Sequence, residues 1–472
     1  GFARKFAGGK GIFVFGASLY NRDAIYLRER EVSKSADKTA RQRPPFNVAG
    51  SAYDDRTSVG IWPSFRVGTA TAVNWFYPVN NAPLPTINTA TLPRALFADY
   101  NAFVAGQPMS ARGSLNGRVE YKLTPRVTAF AEFTGYQSKS QTGRQPITLN
   151  ASDRVVILSV DNPFNPFGSR FRSATGAPNS DGTPRVTGAP QTLQVQSMLM
   201  TDGGPEKIEV TSRMYRLLAG LQGKIGRTSW DWEAAAMVGG VRATDISVNA
   251  IRDSKLVAAA LRTDATAWNP FPYTFKVVNG AVVADQPYQN PVSVRETYTQ
   301  PAKRIGHSRM DSLDARAGGD VLNLWSGTLA TSFGAEWRRE MKEDHREPFV
   351  GFNPPGSGLD PTDNDILVTS PKFPLKASRT ISSVYAEAAV PLVSPKNQIP
   401  LVRALDLSTS ARFEHYSDFG NTTKPKFGLT WKPHPRVLTR ISHNQGFRAP
   451  DLIQLYTPTQ FSVASPPGER DA

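Results

Sequence analysis

Few side chains in this 472-residue chain have the types and spacing that catalysis needs. The five histidines, His307, His345, His415, His434 and His443, show no H-E-x-x-H or comparable metal-ligand spacing. One run, KEDHRE at 342–347, gathers Glu343, Asp344, His345 and Glu347. At a loop edge such a cluster could hold a cation, although a charge run is ordinarily a solvated face. GGKG at 8–11 fails as a phosphate loop, because Gly11 stands where a Ser or Thr is needed and the first Gly is missing. No G-x-S-x-G elbow is present, and cysteine is absent, which excludes a disulfide scaffold and a thiolate metal centre. An enzyme is not expected, nor is a cofactor.

Two other groups of residues could contact a ligand or shape a surface. DNPFNPFG (161–168) and WNPFPY (268–273) carry Phe164, Phe167, Trp268, Phe271 and Tyr273. Asn-Pro starts turns, and the neighbouring Phe commonly anchors its own loop. The functional alternative is an aromatic floor for an external ligand, with these five residues as its contacts. In NQGFRAPDLIQLY (444–456), Asn444 and Gly446 close a strand, and Pro450 has no N–H with which to continue a ladder. Phe447 and the apolar run from Leu452 to Leu455 can pack the departing chain against a rim, with Arg448 bridging to carbonyls or carboxylates. That corner reads as structural.

The elements around these residues alternate with period two. Leu115, Gly117, Val119, Tyr121 and Leu123 alternate with Ser114, Asn116, Arg118, Glu120 and Lys122. Tyr215, Leu217, Ala219 and Leu221 oppose Arg216, Gly220 and Gln222, and Trp230, Trp232, Ala234, Ala236 and Val238 oppose Asp231 and Glu233. Similar text recurs around Leu313, Val384, Leu405 and Phe427, for about eleven strands in all. Short connections (TPR, GRTS, NLWSG, PHP) alternate with long ones near 30–109, 141–211, 243–307 and 342–377. RDSKLVAAALR predicts a short helix within one long connection, with Asp253 as its cap.

A two-faced strand can build a soluble sandwich or a membrane barrel. Ala129, Ala131, Ala219, Ala234, Ala236, Ala315, Ala317, Ala386 and Ala388 are small for a core that must fill to crystal-like density. Tyr121, Trp230, Trp232, Trp325 and Trp431 gather near the short turns, as an interfacial belt would. Opposite them, charges of both signs alternate, which suits a hydrated lumen. With 39% hydrophobic residues and no long apolar run, helical membrane spans are excluded. The net charge of +15 comes from Lys and Arg scattered singly, which argues against nucleic acid and favours phosphate-rich lipid headgroups. The expected fold is all-β: an antiparallel transmembrane β-barrel, incomplete, with short periplasmic turns and long extracellular loops.

NQGFRAPDLIQLY also resembles the GFRAPsLxELY signature of TonB-dependent outer-membrane receptors, through Gly446, Phe447, Arg448, Ala449, Pro450, Leu452, Leu455 and Tyr456. It departs with Asp451 where a small residue is usual and with Gln454 where Glu is common. KPKFGLTWKPHPRVLTRISHNQGFRAP, the two NPF loops, NRDAIYLRER and FGAEWRRE are similar to other stretches of that family. The resemblance implies a barrel of twenty-two strands, an N-terminal plug and coupling to the TonB energy complex. Its partners would be outer-membrane lipid and lipopolysaccharide, that complex through the plug, and a small nutrient ligand. Localisation would be the outer membrane of a Gram-negative bacterium.

Residues 1–472 then read as one partial barrel domain, the third to thirteenth strands, without plug, energy-coupling box, signal peptide or closing strands. GFARKFAGGKGIFVFG and SVASPPGERDA read as cut ends. The implied function is active uptake of a siderophore or metal chelate, vitamin or glycan. A passive porin-like channel and a secreted β-sheet binding protein are the alternatives. An open sheet leaves two unpaired edges, so the chain alone should aggregate in water. A monodisperse, detergent-free monomer in size-exclusion chromatography would contradict this.

Overall fold

The computed structural model describes residues 1–48, 51–77, 86–88 and 92–457; the SVASPPGERDA end lies outside them. Twelve strands form one antiparallel meander: β1 (Phe2–Phe6), β2 (Gly11–Arg22), β3 (Met109–Thr124), β4 (Val127–Arg144), β5 (Glu206–Lys224) and β6 (Asp231–Ile251) open it. β7 (Thr299–Leu324), β8 (Gly327–Arg346), β9 (Leu375–Val393), β10 (Ala404–Tyr416), β11 (Gly420–His434) and β12 (Val437–Asn444) complete it. Each strand pairs with its neighbours in the sheet order, and among the described residues β1 and β12 are free edges, so the sheet is an incomplete barrel. The GGKG stretch is the turn between β1 and β2, where Gly8 and Gly9 take φ of +64° and +86°.

Register carries the two faces across the whole sheet. Ala131 lies opposite Ala219, Ala219 opposite Ala236, and Ala234 opposite Ala315, so one face is continuously apolar. Among the described residues nothing covers it: Leu313 is 56% exposed, Val384 55% and Phe333 50%, and none of the nine alanines above is buried. A soluble sandwich would bury that face against a second layer. Toward the short turns, Trp230 stacks on Phe333 at 6.4 Å and donates its indole N–H to the Asp320 carbonyl, 2.9 Å. Gly319 makes that possible, since a Cβ there would sit 2.7 Å from the Trp230 ring.

The strands run further toward the long loops than alternation alone indicates. β5 and β6 remain paired as far as Ile208 and Ser247, and β7 and β8 as far as Arg304 and Arg346. Above a membrane both faces are wet, so polarity loses its period while backbone pairing continues. KEDHRE is therefore mostly strand, not loop edge. One connection on the long-loop side, Ser417–Phe419 between β10 and β11, is short.

The four long connections, loop 1 (23–108), loop 2 (145–205), loop 3 (252–298) and loop 4 (347–374), fold into a layer with its own core. Ser64–Val67 of loop 1 pairs with Leu193–Leu199 of loop 2. Phe65 and Phe76 of loop 1 meet Phe271 of loop 3 edge-on at 5.7 and 5.2 Å, and Phe171 of loop 2 meets Phe275 at 6.1 Å. Such edge-to-face pairs add about 0.5–1.5 kcal/mol each beyond burial.

Loop 3 holds the expected helix, α1 (Asp253–Ala260), but Asp253 is not its cap. Arg252 occupies that position, and the capping carboxylate comes from loop 4: Asp365 Oδ1 accepts from the Ser254 backbone N–H, 2.7 Å, and Oδ2 from its hydroxyl, 2.7 Å. Arg252 also pairs with Asp365. A distant acid has displaced the local one, which sequence proximity could not reveal. Asp253 instead meets Arg154 of loop 2 at 2.8 Å.

Burial pushes the Asp253 carboxyl up to about 6; Arg154 opposes the shift, while Asp365 and Asp363 add to it. A raised carboxyl stabilises the folded layer below its unfolded value of 3.8, and that contribution is lost as pH rises through about 6. Amide exchange at 252–260 and 363–367, corrected for intrinsic pH dependence, should therefore quicken about tenfold between pH 4 and 8. Asp253→Asn should abolish most of that difference, and an unchanged profile would disprove the assignment.

Candidate functional site

Among the described residues no group of His, Asp and Glu could hold a metal ion. Strand alternation splits the KEDHRE cluster: Glu343 and His345 face outward with Trp337, while Asp344 faces the lumen and grips Arg304 at 2.7 Å. The chemistry of this chain lies instead in its polar sheet face and in the structure closing one end of it.

On the lumen face, ion pairs step from strand to strand. Arg118 of β3 pairs with Glu120 at 2.6 Å and with Glu132 of β4, which also takes Arg216 of β5 at 3.1 Å. Arg316 of β7 reaches Glu233 of β6 at 3.0 Å. Glu336 of β8 accepts Arg338 at 3.0 Å and Arg412 of β10 at 2.7 Å, and Arg412 also holds Glu414 at 2.8 Å. Tyr385 lies flat over Gly334, where any Cβ would collide with its ring, and Arg412 stacks on it at 5.7 Å. Each exposed pair contributes little alone, but the mesh orders the wall and leaves a polar, hydrated surface.

The Gly446–Tyr456 stretch leaves β12 at the long-loop end and turns inward. Asp451 and Gln454 form a reciprocal capping box, Asp451 Oδ1 accepting the Gln454 N–H at 2.8 Å and Gln454 Oε1 the Asp451 N–H at 2.9 Å. These are the two positions that depart from the family signature. The box starts α2 (Leu452–Tyr456), whose Leu452 is buried against Leu375 and Ala377 on the lumen side of β9.

Arg379 holds the corner. It is nearly buried, bonds Glu340 at 2.9 Å and donates to the Pro450 carbonyl at 2.8 Å. Asp418, in the short β10–β11 connection, lies 3.9 Å away, and among the described residues both its carboxylate oxygens lack a hydrogen-bond partner. Phe447 is half exposed and packs on Tyr416 and Phe419, with Lys424 5.4 Å above its ring. Arg448 and Tyr456 are exposed, and Ala449 is half-buried. The bridging expected of Arg448 is performed by Arg379, which no local pattern marks.

The aromatic loop residues separate into two groups. Trp268 and Phe271 are buried in the loop core, which leaves them no face for an external ligand. Phe164, Phe167 and Tyr273 are partly exposed. All three Asn-Pro-Phe triplets close the same turn: Asn162, Asn165 and Asn269 accept from Phe164, Phe167 and Phe271 backbone N–H at 2.9, 3.0 and 2.9 Å. The amide groups of Asn162 and Asn165 then cross to neighbouring segments, to the Ala260 carbonyl at 2.8 Å and the Gln191 carbonyl at 2.9 Å, while that of Asn269 closes on Tyr273 at 3.1 Å. Below them sits a node unreadable from spacing. Asp202 accepts from Asn290 at 2.8 Å, Tyr298 at 3.2 Å and Trp268 at 3.4 Å, and burial pushes its carboxyl and the Tyr298 phenol up.

A family model described as TonB dependent receptor-like, beta-barrel, matches residues 223–468, more than half of the chain. The chain belongs to the TonB-dependent receptor family. No curated protein matches it. Among solved structures it is similar to a ferric enterobactin receptor mutant from Pseudomonas aeruginosa, at 11% identity and a TM-score of 0.40, covering 96% of this chain and 41% of that one. It is also similar to the siderophore receptor PirA from Acinetobacter baumannii, at 11% identity and a TM-score of 0.35, covering 82% and 43%. The chain thus spans less than half the length of the receptors it matches.

Within this TonB-dependent receptor barrel, Arg379 should act as the latch of the corner. Arg379→Ala leaves the buried Asp418 without its cation, at about 3–5 kcal/mol for a buried pair, while Glu340 keeps Arg338 at 3.0 Å. Because the chain has no cysteine, Leu452→Cys gives a clean probe. Maleimide labelling at that position should accelerate at least about tenfold in the Ala background and much less with Arg379→Lys. Equal rates in all three backgrounds would remove the latch.

Proposed function

We propose that this chain is part of the barrel of a receptor that imports a scarce nutrient across the outer membrane of a Gram-negative bacterium. The candidate cargoes are a siderophore or other metal chelate, a vitamin or a glycan. One observation carries the reading: a membrane-spanning sheet of this family is walled inside by an ionic mesh and roofed at one end by four loops sharing a core. That arrangement offers a capture surface and a hydrated path. It supports all of residues 1–472 being one barrel domain, since β1 to β5 extend the same sheet N-terminal to the family match, which begins at residue 223.

Transport then follows from differential contact. Cargo binds between the loop roof and the lumen wall, where Phe164, Phe167 and Tyr273 keep accessible surface. A plug domain blocks the lumen, and work delivered by the TonB complex rearranges it so that cargo passes. The corner from Gly446 through Phe447, Arg448, Ala449, Pro450, Leu452 and Tyr456 keeps the rim in shape and does not touch cargo. The partners are thus nutrient, membrane lipid including lipopolysaccharide, and the energy-coupling complex. The protein is a transporter and not an enzyme.

The full-length receptor, expressed in a strain supplied in turn with ferric chelates, cobalamin-like vitamins and oligosaccharides, should accumulate one of these classes against a gradient. Deleting the coupling complex should abolish that accumulation against a gradient. Uptake that persists without the complex would identify a passive channel instead.

A further inference from the structure

Among the described residues, the Asp418 carboxylate is buried without an answering donor. Its side chain is 4% exposed, and neither oxygen accepts a hydrogen bond. The cation beside it is Arg379, whose Nη1 stops 3.9 Å short of Oδ2. A charge-assisted bond closes to about 2.8 Å, so the pair stands about 1 Å from contact. An unanswered buried carboxylate is costly, and both oxygens are sealed from water that would relieve it.

Asp418 itself is not free to close the gap, because its neighbours are pinned. The Ser417 N–H donates to the Thr380 carbonyl at 3.0 Å, the Thr380 N–H to Ser417 Oγ at 3.0 Å, and Phe419 packs on Tyr416 at 4.3 Å. Arg379 can move. Its guanidinium ends a long side chain and lies over the Tyr416 ring at 5.4 Å, a face along which a planar cation slides. What it holds now is replaceable. Glu340 takes Nε at 2.9 Å and Nη2 at 2.8 Å, but it also has Arg338 at 3.0 Å. The Pro450 carbonyl takes Nη1 at 2.8 Å, and Pro450 is only half-buried, so water can stand in for that donor.

We propose that Arg379 is a two-position switch: its guanidinium exchanges the Pro450 carbonyl for the Asp418 carboxylate, and the exchange frees α2 from the lumen wall. When docked, Leu452 of α2 covers Leu375 and Ala377 and forms one wall of a cavity of about 420 Å³, which Met214, Met310, Glu340 and Lys342 also line. When released, α2 opens that cavity to the lumen and bares its apolar seat on β9. The docked corner bonds its proline carbonyl and strands Asp418, whereas the released corner bonds Asp418 and hydrates the carbonyl. Each state leaves one acceptor to be satisfied elsewhere, which keeps the two close in energy and makes the corner bistable. The inference rests on side-chain geometry at the corner and is independent of cargo and of energy coupling.

The test is maleimide labelling of the full-length receptor in outer-membrane vesicles, with Leu452→Cys as its only cysteine. Asp418→Asn removes the charge of the second seat, so labelling should slow at least about fivefold. Glu340→Gln weakens the first seat and should quicken labelling about fivefold, and adding Asp418→Asn to it should cancel that gain. Asp418→Glu, whose extra methylene shortens the gap, should also quicken labelling and serves if the Asn variant fails to assemble. A carboxylate that merely steadies Arg379 in the docked corner predicts the reverse sign, with Asp418→Asn loosening the latch and quickening labelling. That result, or unchanged rates in the Asp418 variants, would overturn the switch.

Discussion

Every feature of this chain depends on a sheet that satisfies its own backbone and so can stand between two solvents. In hydrocarbon an unpaired N–H or C=O costs several kcal/mol, which leaves a paired β-ladder as one of two spanning solutions. Once the ladder is made, side chains alternate strictly, and each face can be written for its own environment. Leu217, Leu313 and Val384 lie uncovered on one side, while Arg118, Glu336 and Arg412 form ion pairs on the other. Neither set would be tolerable if the faces were exchanged. A one-residue slip would place the arginines in lipid, so register is held by penalty on both faces.

That same alternation explains what was legible in the sequence. Where lipid and lumen differ most, as along Leu115–Leu123 and Trp230–Val238, polarity follows period two and the strands can be read directly. Where both faces are wet the period lapses, which is why β8 continues through KEDHRE although its text reads as loop. β1 carries no such pattern for a related reason: Phe2–Phe6 is short, and Arg4 shares the outward face with Phe2 and Phe6. The loop layer was opaque for a different cause. Phe65, Phe171 and Phe271 are far apart in the chain, and contacts closed over such separations leave no local period. The Asn-Pro-Phe turns were visible as turns, but only packing shows that Trp268 and Phe271 belong to a core.

The corner shows how a short signature can be a structural device. Pro450 ends pairing, the Asp451–Gln454 box starts a helix, and Leu452 is driven into the lumen side of β9. The departures at Asp451 and Gln454 are compensated as a pair, because the two side chains satisfy each other's backbone N–H. Only half of this arrangement is local. The other half is Arg379, some seventy residues earlier in sequence, whose partners are a strand carboxylate, a loop carboxylate and a proline carbonyl.

The loop layer constrains how such a barrel could respond to a ligand. Four independent loops could each close over cargo at the cost of their own ordering. Here they share one core, and they are tied to the strands at the point where loop 3 leaves β6. The Leu367 N–H donates to the Ile251 carbonyl at 2.9 Å, and Asp365 caps the helix that begins two residues further on. Displacing loop 4 would therefore uncap α1 and open its contact with loop 2, where Arg154 meets Asp363 at 3.2 Å. Motion of one loop is expensive, whereas motion of the layer about its strand attachments preserves every internal contact. A packed layer of this kind has discrete arrangements and not a continuum. Ligand capture would then select the position of a roof, with the ionic wall beneath it unchanged.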